Sequence, residues 1–207
     1  PATTEALAEL VAAHPQATLI AGATDVGLWV TKGMRRLDHV IHLGRIEALR
    51  AISDEGDQLR LGAMANHVAV RKALAAISPQ LDEMMRRFGG EQVRNAGTIG
   101  GNIANGSPIG DLPPALIALG ATLVLRQGSE HRTIPLEAFF LDYRKQDRRE
   151  SEFVEAVLVP KLPADALFHV SKISKRFDED ISALCGAFFL RRDPDNRIVE
   201  ARLAFGG

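Results

Sequence analysis

The apolar positions change period along the chain, and the changes divide it. Thr4 stands ahead of Ala6-Leu7-Ala8-Glu9-Leu10-Val11-Ala12-Ala13, an N-capped amphipathic helix by its spacing, which His14-Pro15 stops. Ala17-Thr18-Leu19-Ile20-Ala21 reads as a short strand, Gly22-Ala23-Thr24-Asp25 as a turn, Val26 to Thr31 as a helix and His39 to Leu43 as a second, buried strand. Residues 1–52 therefore form a small unit of alternating helix and strand with parallel character. From Ala51 the pattern becomes that of hairpins. Ala51-Ile52-Ser53 and Gln58 to Gly62 flank the turn Asp54-Glu55-Gly56-Asp57, Asn66 caps a helix reaching Leu74, and Leu81 to Phe88 makes another. Ala115–Leu119 predicts a short helix, and Ala121–Leu125, His131–Ile134 and Phe153–Val159 predict strands. After Lys161-Leu162-Pro163 come three more strands, Phe168–Ser174, Ile181–Arg191 and Arg197–Phe205, with no helix left to cover them; the expectation is a domain cut short.

One stretch breaks the pattern. Gly89 to Pro114 carries seven glycines and three prolines without periodicity, too long for an idle loop in a compact domain.

Composition narrows what such a chain can do. At 207 residues and 46% hydrophobic content it buries a sizeable core, and 25 basic against 26 acidic residues give a net charge of -1 that attracts neither nucleic acid nor an anionic membrane. No apolar run reaches the roughly 18 residues needed to cross a bilayer and the start lacks a signal-peptide pattern, so the expected location is cytoplasmic. Cys185 is the one cysteine, which excludes an internal disulfide and a cysteine-ligated cluster held by this chain alone; amid Leu184, Phe188 and Phe189 it reads as a core thiol. The histidines are scattered, and no metal site is expected.

Two loops carry candidate chemistry. The first, Leu19-Ile20-Ala21-Gly22-Ala23-Thr24-Asp25-Val26, delivers a glycine turn from a strand to a helix start, which aims backbone N–H groups at one point and suits a diphosphate. An ordinary strand-to-helix turn has the same signature, and GxGxxG is absent. The second, Gly97 to Asp111, places five glycines among Thr98, Asn102, Asn105, Ser107 and Asp111, close approach combined with polar groups suited to a nucleotide. The run Ser174-Lys175-Arg176-Phe177-Asp178-Glu179-Asp180 reads by composition as a solvated turn.

With these stretches identified, the sequence resembles the FAD-binding part of the molybdenum hydroxylases, most of all the small FAD/iron–sulfur subunit of the bacterial xanthine dehydrogenase branch. LIAGATDVGLWVTK at 19–32, EQVRNAGTIGGNIANGSPIGDLPPALIALGA at 91–121, FFLDYRKQDR at 139–148 and SKISKRFDEDISALCG at 171–186 carry the likeness, in order and over nearly the whole chain. The resemblance implies an α+β, two-lobed PCMH-type FAD-binding fold (residues 1–52 and 53–162), followed by the start of a CO dehydrogenase flavoprotein C-terminal-like domain (163–207). It implies non-covalent FAD that takes electrons from [2Fe-2S] centres and passes them to NAD+. The clusters and the molybdopterin lie outside this chain, in an iron–sulfur domain and a molybdopterin-binding subunit of a hetero-oligomer.

By the same resemblance Leu19 to Val26 clasps the diphosphate. Thr98, Gly100, Gly101 and Asn102, with Asn105, hold the cofactor from the second lobe. Asp111 contacts the adenosine side, Phe88 and Val154 flank the rings, and Lys172 reaches the flavin. Tyr143, Asp178, Glu179 and Asp180 fall where the family places the nicotinamide cofactor. The family more often has glycine where this chain has Ala23, so an alanine there needs φ < 0 or bears a small strain. Three alternatives stay open: another molybdenum hydroxylase (carbon monoxide or aromatic-heterocycle dehydrogenase) that does not use NAD+, a non-catalytic FAD-binding assembly module, and a fragment without cofactor.

Overall fold

The computed structural model describes residues 1–143, 145–177 and 179–207. α1 (Thr4–Ala13) buries Leu7, Ala8 and Val11. Its cap is Thr3 rather than Thr4: the Thr3 hydroxyl accepts from the Ala6 amide at 3.1 Å, which starts the helix one residue early. β1 (Thr18–Ile20) pairs in parallel with β2 (Val40–His42), and α2 (Val26–Thr31) lies in the crossover. Residues 39–43 do not form the buried strand their composition suggests. In β2 only Ile41 is buried and Val40 is 51% exposed, because a two-stranded sheet leaves β2 with an open side. Leu7, Val11, Ile41, Ile46, Leu49 and Phe153 share a small core between α1 and the next sheet.

The chain then enters antiparallel structure. β3 (Ile52–Asp54) and β4 (Gln58–Gly62) make the expected hairpin, with Ile52 opposite Leu61. α3 (His67–Ala75) starts at Asn66, whose side chain accepts from the Ala69 amide at 2.9 Å, and α4 (Pro79–Arg86) starts at Ser78. The aperiodic stretch from Gly89 is not a loop. It holds α5 (Glu91–Ala96) and α6 (Ile99–Asn105), and α7 (Leu112–Leu119) begins inside it. Two glycines in α6 and the shortness of α5, six residues with one large apolar side chain, hide them from a periodicity search, while the ends of α6 are specified: Thr98 caps it by accepting from Gly101 N at 3.2 Å, and Gly106 stops it at φ 61°. Pro113 and Pro114 lie in the first turn of α7, where a missing N–H breaks no helical bond.

α7 leads into β5 (Thr122–Gln127) and β6 (Glu130–Pro135). A short helix, α8 (Leu136–Phe139), and the small hairpin β7 (Phe140–Asp142) and β8 (Lys145–Gln146) follow, then β9 (Phe153–Pro160). The five-stranded sheet has the order β3-β4-β9-β5-β6, with β9 at its centre. Its buried face packs Leu61, Leu123, Leu125 and Val157 against Ile99, Ile103 and Leu116. Burying this apolar surface is the main favourable term in the fold, at roughly 1.5–3 kcal/mol for each large side chain.

β10 (Ala166–Ile173), β11 (Leu184–Arg192) and β12 (Ile198–Gly206) close the chain as an antiparallel three-stranded sheet. Contrary to the sequence reading, one face of it is covered. Phe168, Val170, Cys185, Ala187 and Phe189 pack onto the main core, with α7 and α4 against the strands. Residues 112–119 were available for this because α7 is buried on nearly every side. The other face keeps Leu167, Ile173, Leu184, Leu203 and Phe205 between 41% and 59% exposed.

Candidate cofactor site

The two glycine loops meet. A Cβ on Gly22 would run into the backbone carbonyl of Ala96, so the first loop rests directly on the end of α5. On the other side, a Cβ on Gly101 would sit 4.0 Å from the Ala21 methyl. In the first loop, Gly22, Ala23 and Thr24 make no backbone hydrogen bond through their amides among the described residues. Ala23 and Thr24 are exposed, and Ala23 has φ 57°, the left-handed region that glycine occupies freely. The strain alternative for Ala23 is therefore the one realised, at roughly 1–2 kcal/mol. Leu19 and Ile20 lie in β1, Ala21 and Val26 are half-buried, and Asp25 accepts from Trp29 Nε1 at 2.8 Å, which orients the start of α2.

The second loop is held tightly. Gly97 N bonds to Val93 O at 2.7 Å, Ile99 N to Ala65 O at 3.0 Å and Gly100 N to Ala63 O at 2.9 Å. Gly100 has no room for a side chain because its Cα lies on Ala63. Gly101 is different. It is exposed, and a Cβ there would meet only Thr98 Oγ1, at 2.9 Å, and Ala21. Asn102 Oδ1 is buried without a partner among the described residues, and Asn105 is exposed at the end of α6. Phe88 is half-buried against His67, and Val154 lies in β9 at 8% exposure.

Asp111 and Lys172 come together deep in the protein. Lys172 Nζ lies 2.6 Å from Asp111 Oδ2, with both side chains 4% exposed, and the Ser182 hydroxyl donates to Asp111 Oδ1. Both carboxylate oxygens are thus used inside the chain, and the pair fastens the start of α7 to β10. Ser182 escaped sequence reasoning; a serine in a charged segment carries no signal of its own. Cys185 is the expected core thiol, pushed up to about 12 first by burial and then by the Asp111 charge.

The acidic run is not simply solvated. Arg87 reaches it with three donors, to Lys172 O at 2.7 Å, Ser174 Oγ at 2.9 Å and Phe177 O at 3.3 Å. The Phe177 ring has Arg86 4.9 Å and Arg87 5.0 Å from its centroid. Asp180 is held below the usual carboxylate range, first by the Arg176 amide, which it accepts at 2.8 Å. The Glu179 carboxylate packs on Gly90, and Glu179 is itself at φ 49°. Asp178 lies outside the described residues. Tyr143 is 67% exposed on the β7–β8 hairpin, which Gln146 fastens to α6 through Ala104 O at 2.8 Å.

Unpartnered amides on one loop, an open glycine and an orphaned amide oxygen on the other, and the close approach of the two fit an elongated dinucleotide with a diphosphate at its middle. Residues 1–162 match the family described as the FAD binding domain in molybdopterin dehydrogenase. The chain belongs to that family, and FAD is its cofactor. It is 32% identical to nicotinate hydroxylase hnxS of Emericella nidulans (strain FGSC A4) over 227 residues, covering 100% of this chain and 17% of that protein. It is 28% identical to xanthine dehydrogenase of the same organism over 219 residues, covering 100% and 16%. The chain thus spans about one sixth of those relatives. A solved structure of carbon monoxide dehydrogenase from Hydrogenophaga pseudoflava, lacking the Mo-pyranopterin moiety of its molybdenum cofactor, matches with TM-score 0.91 and 28% identity, covering 100% of this chain and 72% of that one. The chain is therefore an FAD-binding component of the molybdenum hydroxylases, an oxidoreductase family.

Proposed function

We propose that this chain is the FAD-bearing electron-transfer part of a xanthine dehydrogenase, carrying electrons from [2Fe-2S] centres to NAD+ while hypoxanthine or xanthine is oxidised at a molybdopterin site elsewhere. The cofactor lies between residues 1–52 and 53–162, and 163–207 add the three-stranded sheet that packs on the main core. Leu19 to Val26 clasp the diphosphate, and Thr98, Gly100, Gly101, Asn102 and Asn105 hold the opposite side. Phe88 and Val154 flank the rings. Asp111, expected on the adenosine side, and Lys172, expected at the flavin, form one ion pair, so the reading puts both at one end, where they support the flavin as a neutralised pair. Bound FAD supplies the exchange between one-electron donors and a two-electron acceptor. The chain's own residues bind it, orient it and limit water around it.

The observation that carries the choice of acceptor is the docking of residues 172–177 by Arg87, just ahead of the acidic residues. A solvated turn needs no such anchor, and a held segment keeps Glu179 and Asp180 in one place, where their carboxylates attract the positive nicotinamide of NAD+. Tyr143 belongs to the same reading. In the assembled enzyme, changing Glu179→Gln and Asp180→Asn together should raise the KM for NAD+ and slow its reduction while turnover with an artificial dye acceptor holds. Parent values with both acceptors would remove NAD+ from the proposal. The likeness to carbon monoxide dehydrogenase supports a second reading, an FAD subunit with another acceptor. Assaying the assembled enzyme with hypoxanthine, nicotinate and carbon monoxide in parallel separates the two.

A further inference from the structure

Two buried side-chain polar atoms make no hydrogen bond among the described residues: Asn102 Oδ1 and His67 Nδ1. Both border the same turn. His67 opens α3, and its amide donates to Gly97 O at 3.1 Å; Asn66, one residue earlier, bridges to Thr98. The His67 ring is 3% exposed and lies flush on Gly97, where a Cβ would meet Cδ2 at 3.0 Å and Nε2 at 3.2 Å. Its other neighbour is the Phe88 ring, edge-on with centroids 4.7 Å apart. Burial alone pushes the imidazole down to about 4, so at neutral pH it is uncharged, with one N–H donor and one acceptor nitrogen. A leucine would fill this space without stranding a polar atom, and a stranded polar atom is costly in a core. An imidazole kept there points to a partner that arrives with the cofactor.

We propose that His67 is a cofactor-positioning residue, its imidazole supplying a hydrogen bond to the dinucleotide held at residues 97–102. The role rests on placing FAD at that turn. It adds a residue from outside both glycine loops, on the segment whose backbone shapes the second one.

The test uses the full 207-residue chain stripped of flavin, with FAD affinity measured by fluorescence titration and stability by melting the apo form. His67→Leu should weaken FAD binding about fivefold, the scale of one neutral hydrogen bond, while the apo melting temperature holds or rises. His67→Asn, which keeps a polar nitrogen near the Nδ1 position, should bind within about twofold of the parent. Parent-like affinity in His67→Leu overturns the role, as does a loss that tracks a fall in apo stability and is not rescued by Asn. Should the Leu variant not fold, the Asn variant is set against His67→Gln, whose amide reaches the Nε2 position instead; equal binding by both overturns it. Gly101→Val separates the underlying placement. If that variant keeps FAD, the cofactor does not lie at this turn; if it loses FAD while His67→Leu does not, only the His67 role falls.

Discussion

The two glycine loops face each other and are built in opposite ways. Residues 97–101 are tied by backbone bonds to Ala63, Ala65 and Val93, buried from Gly97 to Gly100, and opened to solvent only at Gly101. Residues 22–24 carry amides unpartnered among the described residues and one strained alanine, and the α2 helix that follows buries no residue. A ligand between them meets one wall that sets geometry and one that conforms. Binding sites commonly draw their moving parts from the less stable end of a structure and their reference points from the core. Here that division falls between two loops already in contact through Gly22 and Ala96.

The strongest way to break the comparison is at the foundation of the rigid wall. Asp111→Ala strands the Lys172 ammonium in the interior, and unfolding in urea should show a loss of about 3–5 kcal/mol. A loss below about 1 kcal/mol would mean that water reaches Lys172 and that this wall is not closed.

Gly101→Val comes next. Its branched side chain should block FAD retention through gel filtration at a cost of about 1 kcal/mol in stability, mostly from disturbing the Thr98 cap. Equal flavin content in variant and parent would show the open glycine to be incidental.

A pH series probes the same wall from beneath. The native His67 takes a proton only near 4 and the unfolded one near 6.5, so between those values the unfolded chain binds more protons. Stability should therefore fall as pH drops through that window, by at most about 3 kcal/mol from this group, with the lowered carboxylates such as Glu5 and Asp82 adding their own loss at lower pH. His67→Leu should flatten that part of the curve, and an unchanged slope would place its origin elsewhere.

The smallest effect belongs to the conforming wall. Ala23→Gly relieves the left-handed strain but frees the unfolded chain, so the apo protein should gain no more than about 1 kcal/mol. A destabilised variant would mean that the Ala23 methyl makes a contact outweighing the strain.

Much of this contrast was legible in the sequence. Both loops announce themselves through glycine and small polar residues, the β3–β4 hairpin through its turn, and α3 through Asn66. The helices α5 and α6 were not legible, since a helix as rich in glycine as Ile99–Asn105 has no apolar stripe to reveal it and only its cap, Thr98, gives it away. Neither the covering of β10–β12 by α7 nor the Arg87 clamp on residues 174–177 is local. Each depends on residues about 70 to 90 positions apart meeting in space. His67 carries no local signature either, because the sequence cannot show that an imidazole will be buried with a nitrogen unpaired.

The outer face of β10–β12 bears on how the protein behaves in a tube. Leu167, Leu203 and Phe205 lie open on the outer face of this sheet, and a net charge of -1 sets up little repulsion between molecules. Colloidal behaviour then depends on a contact that added salt strengthens rather than screens. Apparent size in solution should grow with protein concentration and with ammonium sulfate, so light scattering across a dilution series gives the range in which flavin titrations report on single molecules.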